Sequence, residues 1–251
     1  MARQVGIIKL KGGIGDISFY KTKDGHLART KGGVDAKRIA NDPAFQRTRE
    51  NGSEFGRGAK GSKLLRTALR LLLQNASDNR ISNRLTKEMI AVVKTDTTND
   101  RGLRVVSQGD ITLLDKFEFN IAGKLASLLF TPYTPSIDRV AGDVSVAIPD
   151  FVPVNNIVAP SGTTHFKITV GGTEVDFDAE TFVFDSDASA ILPWDAATVA
   201  ALSLTASLTA NSTLPIFQVI GVEFFQEVNG QMYSLKNGAY NALAVVGIDT
   251  P

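Results

Sequence analysis

Cysteine is absent from the 251 residues. That absence excludes a disulfide framework, a thiolate metal site and a cysteine nucleophile. Histidine occurs only as His26 and His165, the first beside a predicted hairpin turn and the second inside a predicted strand. A histidine-dependent triad or a multi-histidine metal site is therefore poorly supplied. No stretch is apolar over the ~20 residues that a bilayer requires, and the opening Met1-Ala2-Arg3-Gln4-Val5-Gly6-Ile7-Ile8-Lys9 lacks the apolar core of a secretory signal. The expectation is synthesis in the cytoplasm, no membrane partner, and possible later release as part of a particle. Asn211-Ser212-Thr213 matches a glycosylation sequon, which without a leader reads as an ordinary loop.

Charge of one sign is scarce in each half. Residues 1–130 hold 24 Lys and Arg against 13 Asp and Glu, a net +11, while residues 131–251 hold 3 against 13, a net −10. The whole-chain value of +1 hides this dipole. A basic segment of this kind fits either a polyanion such as nucleic acid or the acidic part of a neighbouring copy.

The pattern along the chain changes near residue 100. Over 13–31, Ile17, Phe19 and Lys21 alternate with Ser18 and Tyr20, and Lys23-Asp24-Gly25 supplies a turn before His26-Leu27-Ala28-Arg29, which predicts a β-hairpin. Asn41-Asp42-Pro43 signals a helix from about 43. Gly52, Gly56, Gly58 and Gly61 then predict either a break or very close packing, because each costs roughly 1 kcal/mol against alanine inside a helix. Leu64, Leu65, Ala68, Leu69, Leu72 and Leu73 continue at helical spacing, and a second helix is expected over Ser82 to Lys94, capped from Asn79 to Ser82.

Beyond Asn99-Asp100-Arg101-Gly102 come short β-type runs: 116–119, 143–148, 165–170, 202–208, the hairpin of 216–228 and 231–235 around Asn229-Gly230, and 240–248. Serial short strands predict an antiparallel β-sandwich. The expected class is α+β, with a basic hairpin-plus-helix module over 1–100 and an acidic β-sandwich over 101–251.

Three motifs point to chemistry. Gly56-Arg57-Gly58-Ala59-Lys60-Gly61 has the letters of a dinucleotide fingerprint, but no buried strand precedes it. Gly52 and Gly56, one helical turn apart, read instead as a place where another backbone approaches. Asp176, Asp178, Glu180, Asp185 and Asp187 alternate as carboxylates on a strand would, and carboxylate oxygens suit calcium, although the glycine and terminal glutamate of a calcium loop are missing. Lys9, Lys11, Lys21, Lys23, Arg29 and Lys31 surround Phe19 and Tyr20, the composition of a nucleic-acid platform or of a lysine-protected sheet edge. Paired carboxylates have no local constellation that points to them. No catalytic residue, cofactor or metal ligand is assigned.

Gly13-Ile14-Gly15-Asp16-Ile17-Ser18-Phe19-Tyr20, the following lysine-rich turn and Leu27-Ala28-Arg29 resemble uncharacterised Bacteroidota proteins that open with a Gly-x-Gly-Asn/Asp-x-x-Phe-Tyr hairpin. Residues 42–51 and 229–233 resemble further segments of that family. The resemblance implies a basic helical stretch followed by a β-rich tail, supplies no catalytic residues, and favours a structural or particle-associated role.

The function expected is that of a non-enzymatic structural protein whose partners are other copies of itself, joined head-to-tail into a filament, tube, ring or phage-like particle through Phe19, Tyr20, Gly52 and Gly56. The alternatives are a nucleic-acid-associated protein using the same basic module, and a calcium- or glycan-binding sandwich using residues 176–187. No small-molecule substrate is expected.

Overall fold

Glycine and aspartate punctuate the first fifty residues, and the chain reverses at them. The computed structural model describes residues 2–30 and 32–251, with every side chain of these except those of Lys236 and Asn237. Strands β1 (Ala2–Arg3), β2 (Gly12–Ile14), β3 (Ile17–Thr22) and β4 (Gly25–Thr30) form an antiparallel sheet in the order β1-β4-β3-β2. Gly25, at φ +116, follows the Lys23-Asp24 loop and makes the expected hairpin, while Gly15, at φ +52, makes a second hairpin at Gly15-Asp16. Both glycines hold a backbone conformation that a side chain disfavours. Helix α1 (Ala36–Asn41) follows, and Asp42 then caps a single 3₁₀ turn by accepting from the Ala44 N–H at 2.9 Å, with Pro43 in the first position. The helix signal read from Asn41-Asp42-Pro43 thus acts through Asp42. Arg49 ties the region together by donating to the carbonyls of Ile39 and Asp42 at 2.7 and 2.9 Å.

The chain divides into two compact units at Glu50/Asn51, whereas composition placed the division near 100. Composition follows charge, but compactness follows the partner of each apolar stripe, and the helical stripes beyond residue 50 have theirs in the C-terminal sheet. Helix α2 (Gln46–Ala68) runs without a break through all four glycines. Gly58 and Gly61 explain why. A Cβ at Gly58 would lie 2.9 Å from Ile90 Cγ1 and 3.2 Å from Ile90 N, and one at Gly61 would lie 3.1 Å from Val106 Cγ2. Close packing thus compensates the propensity cost at these two positions.

After the short α3 (Arg70–Leu73), α4 (Ile81–Thr95) buries Leu85, Met89, Val92 and Val93, which fall on one face at i, i+4, i+7 and i+8. Its start is stabilised by Asp78, whose carboxylate accepts from the Arg80 N–H at 2.6 Å and pairs with Arg84. The stabilising side chain sits one residue before the stretch expected to supply it.

The rest of the second unit is largely β. It comprises α5 (Leu125–Leu128), β5 (Thr134–Asp138), β6 (Asp143–Ile148), α6 (Pro153–Asn156), β7 (His165–Asp176), β8 (Thr181–Ala188), β9 (Leu192–Pro193), β10 (Leu202–Ser207), β11 (Ile216–Val228), β12 (Gln231–Ser234) and β13 (Ala242–Asp249). Strands β10-β6-β5 make a three-stranded sheet. In the six-stranded sheet β11 is flanked by β7 on one side and by β12 and β13 on the other, with β8 and β9 beyond β7. Because side chains alternate along β11, Ile216, Ile220, Val222 and Phe224 pack toward Val144, Val146, Ile148 and Leu204 of the small sheet. Phe217 and Val219 pack on the opposite side with Leu65, Leu69, Leu85 and Met89 of the helices. The fold is α+β with an antiparallel sandwich as expected, and the helices form a third layer on the outer face of the larger sheet.

Two segments differ from expectation. Residues 116–119 do not form a named strand. Lys116 takes φ +59, and the segment instead lies along β13, where the Phe119 N–H donates to the Leu243 carbonyl at 2.8 Å and the Val245 N–H to Phe117 at 3.0 Å. The 165–170 run continues to Asp176 because Gly171 and Gly172 admit Leu72, Val219 and Val144 against the backbone.

Gly56 meets nothing within 4 Å of an added Cβ, so Gly56→Ala and Gly58→Ala share the same gain in helix propensity and differ only in packing. Gly58→Ala is expected to be the less stable of the two by about 1–3 kcal/mol in urea denaturation, and equal stabilities would contradict the close approach at Ile90.

Candidate functional site

The N-terminal sheet has two faces and no interior. Cross-strand registration puts Ile14, Ile17, Phe19 and Ala28 on one face with Lys21 and His26, and Tyr20, Leu27 and Arg29 on the other with Ser18. The expected separation of Ile17, Phe19 and Lys21 from Ser18 and Tyr20 is what forms. Arg29 lies 5.6 Å from the Tyr20 ring centroid. Yet none of the described residues 2–50 is buried. Val5 is 85% exposed, Ile7 is fully exposed, Ile8 is 80% exposed and Ile14 is 62% exposed. The density of aliphatic residues before residue 18 is the sequence signal for this surface, and the lysines among them point instead to an anionic partner.

The interface residues chosen from sequence fall into separate places. Phe19 and Tyr20 are half-buried but on opposite faces of β3. Gly52 and Gly56 lie on α2, are exposed, and among the described residues have nothing within 4 Å of an added Cβ. Beside Gly56, the 56% exposed Phe55 joins Ala59, Ile90 and Ala91 in an apolar groove of about 490 Å³ between α2 and α4, with Lys87 and Lys94 at its rim.

The basic residues are likewise divided. Lys21 is on one face, Arg29 on the other and Lys23 in the hairpin loop, while Lys9 folds back to donate to the Gln4 and Gly6 carbonyls at 2.6 and 2.5 Å. Lys11 is exposed just before β2, and Lys31 lies outside the described residues. Among the described residues this distribution places Lys21 and Arg29 on opposite faces of the sheet and gathers no single cationic platform.

The acidic run of 176–187 is occupied by the chain itself. Asp176 accepts from the Asp178 and Ala179 N–H groups in the β7–β8 turn, Asp178 accepts from Ser107 Oγ, and Glu180, at φ +56, pairs with Lys60 at 3.2 Å. Asp185 and Asp187 accept from the Ser207 and Thr205 N–H groups at 2.7 and 3.0 Å, bridging β8 to the open side of β10. Carboxylates here replace the backbone acceptors of a missing strand.

A cleft of about 460 Å³ is lined by Val106, Asp110, Asp176, Phe177, Asp178 and Pro215 among others. Its three carboxylates each accept hydrogen bonds from turn backbone or hydroxyl groups. Neither histidine lines it. His165 Nδ1 lies 2.9 Å from Thr164 Oγ1, with Nε2 3.8 Å from Glu227. Among the described residues no group of three or more His, Asp and Glu is placed to hold a metal ion. Among them, too, no helix is long and apolar enough to cross a membrane.

Gly56-Arg57-Gly58-Ala59-Lys60-Gly61 lies mid-helix, and Arg57 donates to the carbonyls of Gly102 and Arg104 at 2.7 and 3.1 Å while buried Glu54 accepts from the Gly102 N–H. The motif anchors a loop. Within that loop Asp96 is buried and would be driven toward its neutral form, but hydrogen bonds from the Asn99 side chain and the Val105, Asn99 and Thr98 N–H groups outweigh burial and hold its pKa at about 2.

No protein-family model matches this chain, and no characterised protein matches it in sequence. A solved structure from work on pH-induced modulation of Streptococcus parasanguinis adhesion by Fap1 fimbriae is 9% identical, covering 45% of this chain and 78% of that one at a TM-score of 0.23, a likeness too slight to carry an argument.

Two outcomes follow from these carboxylates. Asp185→Ala with Asp187→Ala is expected to lower stability by about 1–2 kcal/mol through two lost acceptors, and wild type should show no rise in Tm with millimolar calcium. A calcium-dependent rise lost in the variant would mean that these groups hold the ion. For Asp96 the folded pKa lies below its ordinary 3.8, so the stability it contributes is complete above that value and lost as pH falls toward about 2. Asp96→Asn should flatten the acid limb of the urea midpoint over that window, and an unchanged limb would contradict the assignment.

Proposed function

We propose that this chain is a non-enzymatic structural subunit that associates head-to-tail with copies of itself, giving a filament, tube, ring or phage-like particle. The observation that carries the reading is the N-terminal sheet, which has apolar residues on one face and buries none of them. A sheet of this size requires a covering layer to be stable in water. We take the cover to be another copy of the chain, a reading that the distribution of charge supports. Residues 1–50 hold 11 Lys and Arg against 5 Asp and Glu, a net +6, and residues 51–251 hold 16 against 21, a net −5. Opposed charges on the two units of one chain favour contacts between unlike units of neighbouring copies and disfavour contacts between like units. Contacts between unlike surfaces are heterologous, and they close into rings or continue as filaments. The non-enzymatic part of the reading is supported by the cleft carboxylates, which accept hydrogen bonds from turn backbone and from hydroxyl groups, and by His165, which lies against Thr164 and Glu227 outside the cleft lining.

Negative-stain electron microscopy and light scattering on nuclease-treated protein test the reading. Regular filaments, tubes or rings at low salt are expected, and a monomer at every salt concentration would overturn it. Lys21→Glu, Lys23→Glu and Arg29→Glu together should weaken association on the order of tenfold at low salt, since exposed pairs contribute roughly 0.2–1 kcal/mol each. The difference should shrink at about 1 M salt, where the Debye length is about 3 Å. Undiminished association of the triple variant would remove the electrostatic part.

A further inference from the structure

A strand at a sheet edge exposes a row of unpaired backbone groups that recruits another strand, and this chain blunts nearly all of its own. β10 is bridged to β8 through Asp185 and Asp187, and β13 is covered by residues 117–119. β5 carries Pro135 and β9 carries Pro193, and proline cannot donate to a ladder. β1 is only two residues long. Among the described residues, β2 and β12, of three and four residues, carry no proline and no covering segment. All residues of both strands are exposed, Tyr233 of β12 by 57%.

Hairpin geometry fixes which of their amides face outward. Both strands leave two-residue loops, so the closing pairs Ile14↔Ile17 and Val228↔Gln231 exchange hydrogen bonds and the next pairs out, Gly13↔Ser18 and Glu227↔Met232, do not. Gly13 on β2, and Met232 and Ser234 on β12, therefore point their N–H and C=O groups away from the hairpin.

We propose that β2 of one copy adds as a further strand to β12 of the next. This rests on the self-association reading above and names the surfaces. A second copy is the fitting occupant because each chain offers one open edge on its +6 unit and one on its −5 unit. Lys11 immediately precedes β2 and Glu227 stands opposite Met232. Main-chain bonding between two different edges is directional, which is what head-to-tail growth needs. Gly12 and Gly13 leave β2 without a side chain at two of three positions, and so without steric opposition to an incoming strand.

The test uses the full chain in sedimentation velocity. Gly13→Pro and Met232→Pro each remove one outward N–H and leave the internal ladders of β3 and β11 intact. Each variant alone is expected to lose association at least ~10-fold, the effect of ~1.4 kcal/mol. An equimolar mixture should form dimers and nothing larger, because each variant keeps the edge that the other lacks. If wild type is monomeric, the self-association reading fails. If wild type assembles and both variants assemble equally well, the edge pairing is wrong while that reading stands. Should a proline variant fail to fold, hydrogen exchange on wild type decides: the amides of Gly13 and Met232 become protected on assembly, and their rapid exchange in the assembled state would overturn the pairing.

Discussion

A β-sheet is stable in water only when at least one face is covered, and the two units of this chain answer that requirement differently. In the second unit the central pair β7 and β11 is covered on both sides, by helices and by a smaller sheet, and each buried side chain such as Phe217 or Ile220 contributes about 1.5–3 kcal/mol. In the first unit the strands also form an antiparallel ladder, but Ile14 and Ile17 face solvent. The difference between a sheet with layers and a sheet without one organises everything inferred about this protein.

Burial on both faces also explains the composition of the larger sheet. Gly171 and Gly172 sit where Leu72 and Val144 press on β7 from opposite layers, and buried Gln218 donates to the Ser145 carbonyl at 2.7 Å. The sandwich closes at one side through the paired carboxylates of Asp185 and Asp187, and at the other through Arg139, which pairs with Asp249 at 2.7 Å and reaches the Ser212 and Leu214 carbonyls. Arg139 and Lys167 are the described cations beyond residue 130, and both are held in ion pairs. Much of the acidic surplus of the C-terminal half is thereby left unbalanced by neighbours in sequence.

Local signals were legible. Asn229-Gly230 between alternating runs marks the β11–β12 hairpin, because a two-residue loop at φ +52 and +76 admits few other residues. The periodic apolar faces of α2 and α4 were readable for the same reason. What was not readable depended on partners far along the chain. The glycines of α2 were compatible with a break or with very close packing, and the choice between the two rests on Ile90 and Val106, which pack against Gly58 and Gly61. Asp185 and Asp187 looked like a metal or solvent face, and their partners lie in β10, about twenty residues on. The helices seemed to belong with the basic N-terminus because charge is local in sequence, whereas their apolar stripes are satisfied by β11 and β13 at the other end of the chain. At the candidate site, the positive charge was obvious and the uncovered aliphatic face was not, since exposure is a property of the fold and not of the residue.

Under the proposed self-association, the first fifty residues lack a cover until another copy supplies one. Limited trypsin digestion of the full chain across a dilution series measures this directly, because 11 Lys and Arg lie within residues 1–50. Cleavage in this unit should be fast where the protein is dilute and monomeric, and should slow as association sets in, with residues 51–251 resistant throughout. Equal resistance of residues 1–50 in the monomer would show that the sheet is stable without a partner and would contradict the account.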